Sequence, residues 1–373
     1  MSEETPIQWT NTTVNPVMGC DGCELWPTLP KIISGLITRA KEILPSDIKN
    51  VASQIRQIMS RYEHVTAVWH DRYSLVKKLA KTYPNIRRYI WLKEIEKLYN
   101  CYTGKQHLDR GARPEDWNDP INSGYAPIFD RPTKFPDRMA KIATLPDLRN
   151  TEDPAKTWLS GLPRLIFVSD MGDALSESIE FEYLKEEIID IVSSSNGRRH
   201  IWLWLTKRPS RMVEFAKWLK ETHGLSWPDN LVSMTSVTGL ATRNRIGDLR
   251  KVPAKIRGLS VEPLIEPVKL DLDGIDWVIV GGESGSHARP FDLNWARDIQ
   301  AQCKEAGVTF FMKQLGANIT DDGFPLKVRD PHGGDWEEWP TDLREREFPE
   351  AFRDDSLSSP SPIRVSNPNN RNF

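Results

Sequence analysis

From about residue 160 onward the chain repeats one arrangement. A short, almost continuously apolar run ends in polar residues and is followed by a stretch of helical periodicity. The first three runs are Arg164-Leu165-Ile166-Phe167-Val168-Ser169-Asp170, His200-Ile201-Trp202-Leu203-Trp204-Leu205-Thr206-Lys207-Arg208 and Leu231-Val232-Ser233-Met234-Thr235-Ser236-Val237. Arg257-Gly258-Leu259-Ser260-Val261-Glu262, Trp277-Val278-Ile279-Val280-Gly281-Gly282-Glu283 and Thr309-Phe310-Phe311-Met312-Lys313-Gln314 follow. Strands with no polar alternation are covered on both faces, and helices between them make the crossovers of a parallel sheet. Helix candidates fall at about 180–194, 210–222, 240–251 and 292–306. Ile7-Gln8-Trp9-Thr10-Asn11 reads as one further strand. Six or seven βα units predict an α/β fold, a parallel (β/α) barrel or partial barrel with a helical insert.

Composition limits the alternatives. The chain has 373 residues, with 50 Lys and Arg against 52 Asp and Glu, a net charge of -2. With 39% apolar residues it can bury a core, which excludes disorder throughout. No apolar run is long enough to span a membrane, and Met1-Ser2-Glu3-Glu4-Thr5 does not resemble a secretion signal, so a cytoplasmic location without membrane attachment is expected. The balanced charge hides an asymmetry: residues 31–100 carry 14 Lys and Arg against 6 Asp and Glu. This segment has helical periodicity, and Pro45 and Pro84 divide it into roughly three helices. The expected organisation is one barrel domain over 1–353, interrupted at about 25–100 by this basic insert, with a Ser- and Pro-rich disordered tail over 354–373. The insert reads either as a solvated helical hairpin or as a contact for nucleic acid or an acidic partner protein. Residues 331–350, with seven acids and two arginines around Trp336 and Trp339, suggest an acidic segment packed on the barrel or docked on the insert.

Barrels place their chemistry at the carboxyl ends of the strands. Here those ends carry Ser169 and Asp170; Thr206, Lys207 and Arg208; Ser236; Glu262; Gly282, Glu283 and Ser284; and Lys313 with Gln314. The set is expected to enclose a ligand site, although some members can simply cap helices or pair with neighbours. Trp202, Trp204 and Trp277 lie within strand runs and belong to the core, whereas Trp69 or Trp91 on the insert could stack on a base.

Four cysteines are too few for a disulfide scaffold. Cys303 shares a helix face with Ala296 and Ile299 and reads as core. Cys20 and Cys23 form a C-x-x-C pair, and Cys101 follows the insert. Structural zinc prefers four closed ligands, so a zinc site would have to recruit Cys303 or a histidine, of which His107 is nearest to Cys101. Three thiolates on a four-iron cluster instead leave one iron open, the arrangement that S-adenosylmethionine (SAM) needs to chelate a cluster.

The sequence resembles the phage-associated three-cysteine-motif family, whose members look like radical SAM enzymes. Ile7 to Cys20, Cys101-Tyr102, Phe167-Val168-Ser169-Asp170-Met171 and Leu205-Thr206-Lys207-Arg208-Pro209 carry part of the resemblance. Leu259 to Leu264, Ile275 to Gly285, Ala288-Arg289-Pro290 and Phe311-Met312-Lys313-Gln314 complete it. The resemblance implies a [4Fe-4S] cluster on Cys20, Cys23 and Cys101; if it forms, the strand-end residues Ser169, Asp170, Ser236, Gly281, Gly282 and Glu283 are expected to bind SAM, and Lys207, Glu262 and Lys313 to act in catalysis. It also implies a reductase or other electron donor and hydrogen abstraction from a substrate, with a nucleic acid or nucleotide suggested by the phage association and the basic insert. The chain departs from compact members in the 77 residues that separate Cys23 from Cys101, and it lacks a Gly-Gly-Glu after the second strand. A zinc-binding barrel module without activity and a hydrolase built on Asp170, Glu262 and Glu283 remain as other readings.

Overall fold

The computed structural model describes residues 5–23, 25–44, 48–110, 124, 126, 128–285, 288–354 and 357. The expected disordered tail therefore lies outside the described residues, except for Asp354 and Leu357. Twelve strands form among the described residues: β1 (Thr12–Val14), β2 (Val17–Met18), β3 (Thr133–Lys134), β4 (Leu165–Val168), β5 (Ile201–Thr206), β6 (Leu231–Ser236), β7 (Arg257–Val261), β8 (Trp277–Gly281), β9 (Phe291–Asp292), β10 (Thr309–Gln314), β11 (Ile319–Asp321) and β12 (Phe324–Leu326). The chain divides into two compact units, one comprising Met1–Val14, Pro136–Val168 and Phe181–Phe373, the other Asn15–Phe135 and Ser169–Glu180.

The first unit holds a seven-stranded parallel sheet in the order β1-β4-β5-β6-β7-β8-β10, curled into a half-barrel with flanking helices. The six apolar runs form the strands expected of them. Side chains that alternate along the sheet, among them Phe167, Leu203, Met234, Ile279 and Phe311, pack on one face with Trp9, Phe348, Phe352 and Leu357. Trp202, Trp204 and Trp277 are fully buried.

The early strand falls later than expected. The carbonyls of Thr5, Ile7 and Thr10 converge on the buried Lys156 ammonium at 2.6, 2.7 and 2.9 Å, and that of Gln8 accepts from Trp158 Nε1. Carbonyls of an extended strand point alternately to opposite sides, so a segment wrapped around one cation cannot pair as a strand, and pairing starts at Thr12.

The second unit contains α1 (Leu29–Ile43), α2 (Ile48–Met59), α3 (Val65–His70), α4 (Arg72–Thr82), α5 (Arg88–Glu96) and α6 (Tyr102–Arg110). Among the described residues, five helices thus occupy the basic insert where three were expected. The unforeseen break before α3 has a physical cause: the Asp130 carboxylate accepts from the amides of Val65 and Thr66, and His64 Nδ1 accepts from Ala67 N. α1 starts where Thr28 caps the Lys31 amide and Pro30 occupies the first turn. Val51, Ile55, Leu75, Leu79, Trp91 and Ile95 meet in one apolar cluster. Trp91 is therefore core and not a stacking platform, and Trp69 is half-buried against Tyr99 beneath the Arg72 guanidinium. No helix among the described residues is long and apolar enough to cross a membrane.

Candidate functional site

In the second unit, α5 ends near the C-x-x-C segment. The Asn100 amide donates to the Leu25 carbonyl at 3.0 Å, so the residue before Cys101 bonds the residue two after Cys23. Cys20 is buried in the apolar cluster that also contains Trp26, Tyr99 and Phe129, and Cys23 and Cys101 pack against that cluster. None of the four cysteines forms a disulfide.

Two of the sulfurs already face amides. Leu25 N donates to Cys23 Sγ and Gly104 N to Cys101 Sγ, each at 3.4 Å. The second bond places Cys101 at the start of α6, where the helix amides favour a negative sulfur. The Lys31 ammonium sits 3.2 Å from the Cys23 carbonyl and adds a cation beside the pair. Gly104 lets α6 approach, because a Cβ there would fall 2.2 Å from the Trp26 ring.

Ser169 and Asp170 belong to the same unit. The chain leaves β4 through Ser169, a residue with left-handed backbone (φ 73°), and its turn pairs with the Cys20 segment. Gly19 N donates to Met171 O, Asp173 N donates to Gly19 O, and a Cβ on Gly172 would lie 2.4 Å from the Gly19 oxygen. Thr103 Oγ1, two residues after Cys101, donates to Asp170 O at 2.9 Å, and Asn15 Nδ2 donates to the Asp170 carboxylate. The backbone thus ties together the segments that bear Cys20, Cys23, Cys101, Ser169 and Asp170. Among the described residues, no group of three or more His, Cys, Asp or Glu side chains is arranged to hold a metal ion. Thiols are the donors that iron–sulfur clusters take, and two of the three here, Cys23 and Cys101, accept N–H bonds at sulfur.

His107 is buried, and its Nε2 meets the Ala126 carbonyl at 2.5 Å, with burial lowering its pKa. Cys303 lies in the helix Leu293–Ala306 of the first unit, 1% exposed, its thiol pushed up to about 12 by burial. This is the core position expected for it.

In the first unit the remaining candidates occupy the carboxyl edge of the sheet. Lys207 follows β5, Ser236 ends β6, Glu262 follows β7, and Gly281, Gly282 and Glu283 lie at the end of β8. Lys313 is an extra residue in β10, because the register with β8 shifts between Met312 and Gln314. Its ammonium meets Glu262 Oε1 at 2.8 Å, and both side chains are largely buried. Gly281 makes room for that pair, since a Cβ would stand 2.5 Å from the same oxygen. Glu283 is held differently: Arg289 contacts both carboxylate oxygens, at 2.7 and 3.1 Å, and adds its own amide. Glu262 with Lys313 is therefore a two-member pair, whereas Glu283 is a loop anchor. Ser236 is buried, and its carbonyl accepts from Arg245.

The bulge at Lys313 rests on a contact that the sequence did not reveal. Arg346 is buried, donates to the carbonyls of Met312, Lys313 and Gly334, and lies against the rings of Trp158, Trp336 and Trp339. In the acidic stretch around it, Glu337, Glu338 and Asp342 pair with Arg344, Arg329 and Arg297 of the same unit.

The fold defines a class, the parallel α/β half-barrel. Residues 100–351, about two-thirds of the chain, match the family described as "Protein of unknown function (DUF5131)", and the chain belongs to that family. The match takes in Cys101 and β3 to β12, and begins after Cys20 and Cys23. No curated protein and no solved structure matches the chain.

Proposed function

We propose that the protein is a radical SAM-like enzyme whose [4Fe-4S] cluster is held by Cys20, Cys23 and Cys101. The observation that carries the reading is the Asn100 to Leu25 bond, which brings the Cys101 segment to the C-x-x-C segment across the insert. Cys20, Cys23 and Cys101 would hold the cluster, which would supply one-electron reduction of SAM, drawn from an external reductase, for hydrogen abstraction from a substrate.

The chain's own residues contribute in two places. Around the cysteines, the amides of Leu25 and Gly104 donate to the sulfurs of Cys23 and Cys101, and the Lys31 ammonium bonds the Cys23 carbonyl. Ser169, whose buried hydroxyl has no hydrogen-bond partner among the described residues, and Asp170 contact polar groups of SAM. In the sheet unit, Glu262 and Lys313 share one proton-bearing contact that can hold or pass a proton, and Lys207 adds a cation to the same sheet edge. Ser236, Gly281 and Gly282 lie on the same sheet edge, and Gly281 admits the Glu262–Lys313 pair because it has no side chain.

Iron and acid-labile sulfide, measured after anaerobic reconstitution, test this. The expected content is about four irons per chain, lost in Cys20→Ser, Cys23→Ser and Cys101→Ser and kept in Cys303→Ser. Stoichiometric zinc without iron would overturn it in favour of the zinc-binding module, and full iron loading in Cys101→Ser would overturn the three-cysteine ligand set.

A further inference from the structure

We propose that the α4–α5 hairpin is a docking surface for single-stranded nucleic acid. The two helices carry the same pattern, Tyr73-Ser74-Leu75-Val76-Lys77-Lys78-Leu79-Ala80-Lys81 in α4 and Tyr89-Ile90-Trp91-Leu92-Lys93-Glu94-Ile95-Glu96-Lys97 in and just after α5. Residues four apart share a helix face and rise about 6 Å per step. Each helix therefore shows a tyrosine followed by two lysines in one row. Tyr73 is 57% exposed and Tyr89 62%, while Leu75, Val76, Leu79, Trp91 and Ile95 are buried.

Charge is one-sided over this hairpin. Residues 72–93 contain seven Lys and Arg and no Asp or Glu. The acids just beyond are engaged: Asp71 pairs with Arg61, Glu94 with Lys97 at the end of the second row, and Glu96 with Arg72 across the two helices. Rows of cations track a phosphate backbone, and exposed aromatic rings beside them stack on unpaired bases whatever the sequence. The Arg72 guanidinium lies 4.5 Å from the Tyr73 ring centre and helps fix that ring.

The same observations argue against a lipid surface as the occupant. A helix that lies in a lipid surface inserts a broad apolar face, and here that face is already spent in the core. An acidic protein would meet the lysines too, and the polyglutamate arm of the test below separates it from nucleic acid. The surface is defined without the cysteines, so the proposal does not depend on the cluster.

Fluorescence anisotropy of the full chain with a labelled oligothymidylate tests it. Binding is expected to weaken steeply with salt. Tyr73→Ala with Tyr89→Ala should weaken it by about tenfold or more. Lys77→Gln with Lys81→Gln should flatten the log–log salt slope by about 0.7 per lysine, whereas Lys217→Gln, on a helix of the other unit, should leave it unchanged. Cys20→Ser should still bind, which separates a failure here from a failure of the cluster. Absence of binding at low salt, equal binding by the tyrosine and lysine variants (shown to be folded by circular dichroism), or tighter binding to phosphatidylserine vesicles or polyglutamate would overturn the proposal.

Discussion

His200 lies fully buried one residue ahead of β5, its Nε2 3.1 Å from the Ala143 carbonyl. Burial lowers its pKa from 6.5 to about 4. A base whose folded pKa is depressed stays neutral in the folded state while the unfolded chain takes up a proton. Its stabilising contribution is complete above about pH 6.5 and is lost as pH falls towards 4, by about 3 kcal/mol in all. Urea unfolding of the wild type and of His200→Gln at a series of pH values checks this: the wild type should lose that much more stability on acidification than the variant. Equal losses would show that His200 does not set the acid limb. At this scale the sequence showed the chemistry but not its partners. Cys20, Cys23 and Cys101 stood out by type and spacing. Lys156 and Arg346 did not, because each cages carbonyls far away in the chain, a pattern with no local signature.

β10 shows what an element adds to its residues. Its bulge puts Lys313 against Glu262, and Arg346 donates to the carbonyls on either side of the bulge. Burial holds the Arg346 pKa down at about 10, so the site bears the cost of a buried cation and recovers it through the carbonyls and the ring faces. Arg346→Met, which fits the apolar rings but leaves carbonyls unpaired, should destabilise the chain by about 2 kcal/mol. Arg346→Lys, keeping the charge but not the fork, should recover only part of that, read as urea midpoints. No change in Arg346→Met would mean that the guanidinium merely fills space. The strands were readable from sequence because an apolar run buried on both faces has one solution. The helical insert was harder. Periodicity marked α2, α4 and α5, but the break before α3 depends on Asp130, 65 residues beyond Val65.

At the level of the whole chain, two compact units divide the candidate residues. The cysteines, Ser169 and Asp170 fall in the unit that contains the basic helices, and Lys207, Ser236, Glu262, Gly281, Gly282, Glu283 and Lys313 in the sheet unit. The unit boundary was not legible from sequence, because its second segment, Ser169–Glu180, is the short stretch between the end of β4 and the following helix. The family match spans the sheet from β4 onward and reaches back only to residue 100, so Cys20 and Cys23 stand on this chain's own structure. Low-temperature electron paramagnetic resonance on anaerobically reconstituted, dithionite-reduced protein, with and without SAM, addresses the central claim most directly. The account predicts a reduced four-iron signal that changes shape when SAM is added; a silent sample carrying stoichiometric zinc would contradict it.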